Sequence, residues 1–221
     1  MITPEEQAQI IALVRRQVVP AIGCTEPICV ALATARATET LGHLPERIEV
    51  RLSANILKNA MGVGIPGTGM VGLPIAIALG AIAGRPAYGL EVLKDATPAD
   101  VERGRRYIDE GRICISLDGE TREKLYADVT VTDGDGRTAR TVIAREHTHV
   151  ALVEKDGTTL LSNPPADETA ADETVPLRLT LRKVYEFATT APLADIEFIN
   201  EARRLNEEAA RRSLEGNYGH W

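Results

Sequence analysis

The chain has 221 residues and 44% of them are hydrophobic, so it can bury a substantial core and global disorder is excluded. Its 25 basic and 32 acidic residues give a net charge of -7, which argues against nucleic-acid and membrane partners. The acidic first residues do not resemble a secretory signal and three cysteines do not make a disulfide framework, so we expect a cytoplasmic protein.

Two helices are predicted at the start of the chain. Residues 3–6 read Thr-Pro-Glu-Glu, a capping box that predicts a helix over 4–17. Thr25 is in a position to cap a second, alanine-rich helix over about 26–41. Cys24 then lies beside a helix N-terminus, which lowers the pKa of a thiol toward its metal-binding or nucleophilic form. The alternative is a buried cysteine that only packs.

The middle of the chain changes from helical to strand periodicity. Residues 47–52 alternate as a half-buried strand, and a glycine-dense stretch over 55–72 leads into an apolar run over 70–84. That run is too short for a bilayer span of roughly 20 residues, so we expect a buried helix. A further capped helix starts at Thr97 and ends near Gly111.

The fold class is predicted from the strands that follow. Alternating segments and Asp-Gly turns indicate four sequential strands over 113–117, 125–131, 138–144 and 150–153. With the strand over 47–52 they predict an α+β fold, in which an antiparallel sheet of about four or five strands packs with several helices.

Composition divides the chain into three parts. We predict an α+β domain over 1–162, an acidic linker or surface loop over 163–176 and a helical segment over 177–221. The linker contains the tetrapeptide Ala-Asp-Glu-Thr twice and carries few apolar side chains.

The glycine-dense stretch has two interpretations. Residues 67–72 match the G-x-G-x-x-G fingerprint of dinucleotide-binding folds, but Pro66 precedes them where a buried strand should end. The same glycine amides can instead hold a substrate carboxylate. We therefore predict substrate-binding residues in this stretch and just before it, with Lys58 beside them as a further donor: Ser53, Asn55, Asn59, Gly67, Thr68 and Gly69.

The remaining candidates for chemistry are cysteines and histidines. Cys29 lies one turn into the Cys24 helix and is expected to pack, and Cys114 is expected to be structural. His147 and His149 would share one face of a strand, which permits metal ligation or acid–base work.

Several motifs carry a resemblance to a known family. They are Pro-Ala-Ile-Gly-Cys-Thr-Glu-Pro at 20–27, Ser-Ala-Asn-Ile-Leu-Lys-Asn at 53–59, Gly-Val-Gly-Ile-Pro-Gly-Thr-Gly at 62–69, Gly-Leu-Pro at 72–74, Gly-Leu-Glu-Val-Leu-Lys-Asp at 89–95 and His147-Thr148. With them the chain resembles the L-cysteine desulfidase family, also described as serine dehydratase alpha-like. Members of that family continue well beyond the position of Trp221, so the resemblance covers their amino-terminal half.

The resemblance implies a lyase that does not use pyridoxal phosphate. A four-iron four-sulfur (4Fe-4S) cluster would be held by three thiolates, of which this chain matches only Cys24. The open iron would act as a Lewis acid while a base, His147 or Lys58, removes the α-proton of L-cysteine. Sulfide leaves, and the aminoacrylate hydrolyses to pyruvate and ammonia. The other ligands would come from the missing C-terminal half, so the chain alone would be inactive.

Other functions stay open on the sequence. An L-serine dehydratase-like ammonia-lyase would bind the same carboxylate and amine and differ only in the leaving atom. A nucleotide-binding module, or a non-catalytic partner subunit that meets its missing half as a separate chain, belongs to another class of function. A homo-oligomer is compatible with each of them.

Overall fold

The computed structural model describes residues 2–164 and 178–216. They fall into two compact units, one of residues 2–20 and 178–216 and one of residues 21–164. The predicted linker over 163–176 lies outside the described residues, except for its first two positions.

The described residues form eight α-helices, one 3-10 segment and eight strands. The helices are α1 (Pro4–Gln17), α2 (Thr25–Leu41), α3 (Ala54–Ala60), α4 (Leu73–Ala83), α5 (Pro98–Asp109), α6 (Leu181–Thr190), α7 (Leu193–Ile196) and α8 (Ile199–Glu215), and the 3-10 segment is Pro86–Glu91. The strands are β1 (Arg47–Leu52), β2 (Gly64–Ile65), β3 (Met70–Val71), β4 (Ile113–Leu117), β5 (Tyr126–Thr132), β6 (Thr138–Ala144), β7 (Val150–Lys155) and β8 (Thr158–Ser162).

The first unit contains α1 and the three C-terminal helices. An ion pair joins Glu6 of α1 to Lys183 of α6, and the Gln7 side-chain amide donates to the Asp195 carboxylate at 3.1 Å. These polar pairs link residues more than 170 positions apart. Helix α1 therefore belongs with the C-terminal helices, whereas the predicted domain over 1–162 joined it to the sheet.

The second unit is built on a six-stranded mixed sheet with the order β4-β1-β5-β6-β7-β8. The predicted α+β class is confirmed. Strand β1 pairs with β4 in parallel, and every other pair in this sheet is antiparallel. A parallel pair needs a long crossover connection, and the 60 residues between β1 and β4 supply one that contains α3, α4 and α5. Strand β8 is an addition to the predicted strands.

The core lies between one face of this sheet and the helices of the second unit. Alternate residues of β1, namely Ile48, Val50 and Leu52, are at most 1% exposed and join the buried side of α2 and α4 in one apolar cluster. Gly80 of α4 allows a close approach to α2, since a Cβ at this position would lie 2.6 Å from the Ala31 carbonyl oxygen.

A charged network lies on the other face of the sheet. The Asp128 side chain is only 1% exposed and accepts from Arg51 at 2.6 Å. Arg140 donates to both carboxylate oxygens of Asp128, at 2.8 and 3.0 Å, and also to Glu154 at 3.0 Å. The buried charge is therefore paired by two guanidinium groups, as burial of a carboxylate requires.

Helix termini follow the local signals closely, with two exceptions. The Thr3 and Thr97 capping boxes both form. The predicted cap Thr25 is instead the first residue of α2, and Cys24 takes the N-cap position. Ser53, predicted to bind substrate, caps α3, a helix that the sequence pattern did not predict.

The Gly80 crossing gives a test of the core. We expect Gly80→Ala to lower the free energy of unfolding by about 1–3 kcal/mol, because the new methyl group meets backbone that cannot move aside. Gly119→Ala is the matched control, since a Cβ there has no neighbour within 4 Å among the described residues, and should stay within about 0.5 kcal/mol of the parent. Urea unfolding measures both, and equal stabilities would refute this close packing.

Candidate functional site

Cys24 occupies the N-cap of α2 without using its side chain as a cap. Its backbone is extended, with φ -70° and ψ 134°, and its thiol donates to the Glu26 carboxylate at 2.9 Å. The Thr25 hydroxyl donates to the same carboxylate oxygen at 3.3 Å. The start of α2 thus holds a thiol and a carboxylate in direct contact.

This contact keeps the proton on sulfur. Burial raises the pKa of Cys24 above its ordinary value, and the hydrogen bond to Glu26 raises it further. Hydrogen bonds from the backbone at Thr25 and Glu26 favour the thiolate but are outweighed. The expectation that a helix N-terminus lowers the pKa of this thiol is therefore wrong, because burial and, after it, the hydrogen bond to the Glu26 carboxylate outweigh the backbone amides.

Glu26 is the electrostatic centre of the site. Its pKa is lowered mainly by the hydrogen bond from Cys24. A further hydrogen bond, from the Asn59 side-chain amide to the other carboxylate oxygen at 3.2 Å, and the charge of His147 lower it as well. Asn59 comes from α3 and bonds to this carboxylate, whereas His147, in the connection between β6 and β7, acts on it only through the weaker influence of its charge.

The glycine turn adjoins the segment that leads to Cys24. Residues 66–69 connect β2 to β3, and Gly67 and Gly69 have φ values of 78° and 64° that favour glycine. A Cβ on Gly23 would lie 3.0 Å from the Pro66 ring. The turn is therefore packed against the approach to α2.

Two predicted substrate-binding hydroxyls are already engaged in the fold. Ser53 is 3% exposed and donates to the Lys124 carbonyl at 2.8 Å while capping α3. The Thr68 hydroxyl donates to the Ile65 carbonyl at 2.7 Å and accepts from the Met70 amide at 3.0 Å. Both hydroxyls form hydrogen bonds with backbone groups, so a structural role also accounts for these two residues.

The predicted donors on the exposed side of α3 are open to solvent, unlike the Ser53 and Thr68 hydroxyls. Asn55, Lys58 and Asn59 are all exposed, and Asn59 reaches Glu26. Lys58 lies in the last turn of α3, one residue from Asn59. Of the predicted donors, these three side chains are open to a ligand.

The histidines do not share a strand face as predicted. His147 lies in the turn that follows β6, and His149 precedes β7, where its ring contacts the Asn163 carbonyl at 2.9 Å. A tight turn between antiparallel strands takes the place of a continuous strand, so the two side chains have separate surroundings.

The dinucleotide fingerprint has the wrong surroundings. Its first two glycines form the turn of the two-stranded β2–β3 hairpin, which is separate from the large sheet. Gly72 does precede α4, but its amide donates to the Val63 carbonyl at 2.8 Å. A pyrophosphate site needs these glycines between a buried parallel strand and a helix with free amides.

The three cysteines lie in different surroundings. Cys29 is fully buried in the core, and burial raises its pKa strongly. Cys114 is exposed on β4. Among the described residues, no three His, Cys, Asp or Glu side chains are arranged to hold a metal ion. These residues alone do not fit a 4Fe-4S cluster, which needs three converging thiolates.

Sequence reasoning missed Glu26 as a site residue. The acidic residue fits the first turn of a helix, where it favours the helix dipole, and that explanation hid its second role. The signal available was its spacing of two from Cys24, which brings a side chain in the first turn back toward the N-cap.

Comparison with known proteins gives relatives but no activity. No family model matches the chain. It is 59% identical over 219 residues to UPF0597 protein BF3560 of Bacteroides fragilis, covering 99% of this chain and 50% of the relative. It is also 48% identical over 219 residues to a UPF0597 protein of Oleidesulfovibrio alaskensis, with 99% and 50% covered. The chain spans about half the length of the curated relatives it matches.

The length and composition of the helices bear on whether the chain could span a membrane. In the part of the chain that the structure describes, no helix combines the length and the apolar character that crossing a bilayer requires.

The thiol–carboxylate contact predicts how Cys24 reacts. We expect Glu26→Gln to lower the pKa of Cys24, because the negative charge that opposes the thiolate is removed. Alkylation by iodoacetamide should then be several-fold faster at pH 8, and its midpoint should move to lower pH.

Mass spectrometry after alkylation of the folded protein reports the reaction of each of the three thiols individually. Cys114 serves as an internal reference, and Cys29 should resist alkylation until the protein unfolds. Glu120→Gln, an exposed carboxylate in another loop, is the matched control. An unchanged Cys24 profile in Glu26→Gln would contradict the assigned contact.

Proposed function

We propose that this chain is the amino-terminal half of a cytoplasmic L-cysteine desulfidase. The observation that carries the proposal is the convergence of Cys24, Glu26 and Asn59 beside the glycine turn at 66–69, with His147 near enough to influence Glu26. The same segments carry the sequence resemblance to that family. Three free cysteines and no disulfide among them support a reducing compartment.

The proposed reaction is a β-elimination. The α-proton of L-cysteine is removed, the electron pair forms the Cα–Cβ double bond, and sulfide leaves from the β-carbon. Aminoacrylate then takes up water to give pyruvate and ammonia. The reaction needs a group that binds the carboxylate, a base for the α-proton and stabilisation of the leaving sulfide.

The chain offers residues for the first two tasks. Backbone amides of the glycine turn and the exposed Lys58 ammonium are suited to a carboxylate. His147 is the better candidate for the base, since a neutral imidazole can take up the α-proton and His147 lies near enough to Glu26 to influence it. Lys58 is the alternative base. Glu26 accepts a hydrogen bond from the Cys24 thiol, and this bond orients the side chains of Cys24 and Glu26.

The third task is assigned to the 4Fe-4S cluster that the resemblance implies, which would act as a Lewis acid. Cys24 would be its one ligand in this chain. The described residues supply no second and third thiolate beside it. The remaining ligands are therefore proposed to come from the additional length that the relatives possess.

A chimera tests the proposal in a full-length protein. This chain would replace the segment that it matches in the Bacteroides fragilis relative, of which it covers 50%. After anaerobic reconstitution with iron and sulfide, we expect the chimera to release sulfide and pyruvate from L-cysteine. The chain alone should release neither, because Cys24 would be its one ligand and the cluster needs three thiolates.

Two variants and a second substrate make the outcome specific. Cys24→Ser should lose bound iron and nearly all turnover, whereas Cys114→Ser should keep both, since Cys114 is exposed on a distant strand. L-Serine is assayed in parallel, and preferential release of pyruvate from serine would assign an ammonia-lyase. A chimera that turns over L-cysteine equally well after Cys24→Ser would contradict the proposal.

A further inference from the structure

A cleft lies toward the opposite end of α2 from Cys24. Its volume is about 590 Å³. The cleft is lined by the C-terminal ends of α2 and α4, by the residues that follow each of these helices, and by Arg103 of α5. The cleft lining begins at Ala35, 11 residues along α2 from Cys24, so the two sites are at least about 16 Å apart along the helix. Its volume is in the usual range for small-molecule sites, roughly 300–1,000 Å³.

The wall of the cleft formed by the helices is made of small and apolar residues. Ala35 of α2 and Gly80, Ala81 and Ile82 of α4 line it. Gly84 ends α4 there, and a Cβ at this position would lie 2.7 Å from the Ala35 methyl group. The close contact of the two helices thus forms a shallow apolar surface.

The charged lining is mainly cationic. Arg85 and Arg103 both line the cleft, with side chains 63% and 49% exposed. Arg85 contacts Asp95 at 3.4 Å and Arg103 contacts Asp100 at 3.2 Å. Arg85 also donates to the Tyr88 hydroxyl at 3.4 Å. Because both arginine side chains are about half exposed or more, contacts of this length contribute little stability, and each guanidinium group can turn to another anion at small cost.

Other charges in the cleft already have partners. Glu39 is paired with Arg36 at 2.6 Å, which neutralises the acidic member of the lining. The His43 ring contacts Asp133 at 2.9 Å. Among the lining residues, the two guanidinium groups of Arg85 and Arg103 stand against the one carboxylate of Glu39, so the lining itself is net cationic.

A polar atom beneath the surface is also left without a partner. Thr38 lines the cleft, and among the described residues its hydroxyl oxygen is buried with no hydrogen-bond partner. Such a group is costly in a folded protein and is unusual enough to need an explanation. A rotation of this hydroxyl toward a ligand would satisfy it.

We propose that this cleft binds a small organic anion with an apolar body. Its carboxylate or phosphate contacts Arg85 and Arg103, and its apolar part lies on Gly80 and Ala81. This site is separate from the Cys24 site and does not depend on the function proposed for it.

The binding test uses two aromatic anions that share one ring, benzoate and phenyl phosphate, with benzyl alcohol as the uncharged control. Nuclear magnetic resonance follows the backbone amides of Gly42, Gly80 and Gly84, which line the cleft. Gly119, in the loop after β4, and Gly157, in the β7–β8 turn, do not line the cleft and serve as reference amides. We expect saturable shifts of the cleft glycines with at least one anion, and none with benzyl alcohol.

Arginine variants distinguish specific binding of the anion in the cleft from nonspecific binding to the protein surface. The double variant Arg85→Gln and Arg103→Gln should weaken binding of the anion by at least about tenfold, because charge-assisted contacts are lost. Arg106→Gln, on α5 but outside the cleft, should bind as the parent does. Equal affinity in the double variant, equal shifts with benzyl alcohol, or no saturable shift with either anion would overturn the proposal.

Discussion

The close contact between α2 and α4 is the constraint on which the rest of the second unit depends. Gly80 lets α4 approach within reach of the Ala31 carbonyl, where any side chain would collide. Helix α2 is consequently held in the core over most of its length and covers the sheet. Its two ends carry the two sites, because they are where its polar groups leave the core. Cys24 lies at the first end and the cationic cleft at the second.

The contact between Cys24 and Glu26 decides what the first site can do. A lone thiol at a helix N-terminus would be expected to ionise easily. Here burial and the carboxylate together favour the protonated thiol. Reaction or metal binding at Cys24 therefore requires that the proton leave and that the charge of Glu26 be balanced. Asn59 and His147 are the neighbours that act on that charge.

Local signals predicted α1, α2, α4, α5, the C-terminal helical segment and most strands, because capping and alternation depend on neighbouring residues, but they did not predict α3. The parallel pairing of β1 with β4 depends on a crossover of 60 residues, which periodicity does not reveal. Ser53 shows a different difficulty, since one hydroxyl can cap a helix or bind a ligand and the sequence pattern is the same. The chain nevertheless brings Cys24 near Asn59 and the glycine turn, although more than 30 positions separate them.

Binding of L-cysteine to the glycine turn is the most direct test of the central claim that this region is an amino-acid site. The measurement is nuclear magnetic resonance of the Gly67 and Gly69 amides under anaerobic conditions. We expect saturable chemical-shift changes of these amides with L-cysteine. The changes should be much weaker with cysteamine, which lacks the carboxylate that the amides would hold. Identical responses to the two compounds, or no response of either glycine, would contradict it.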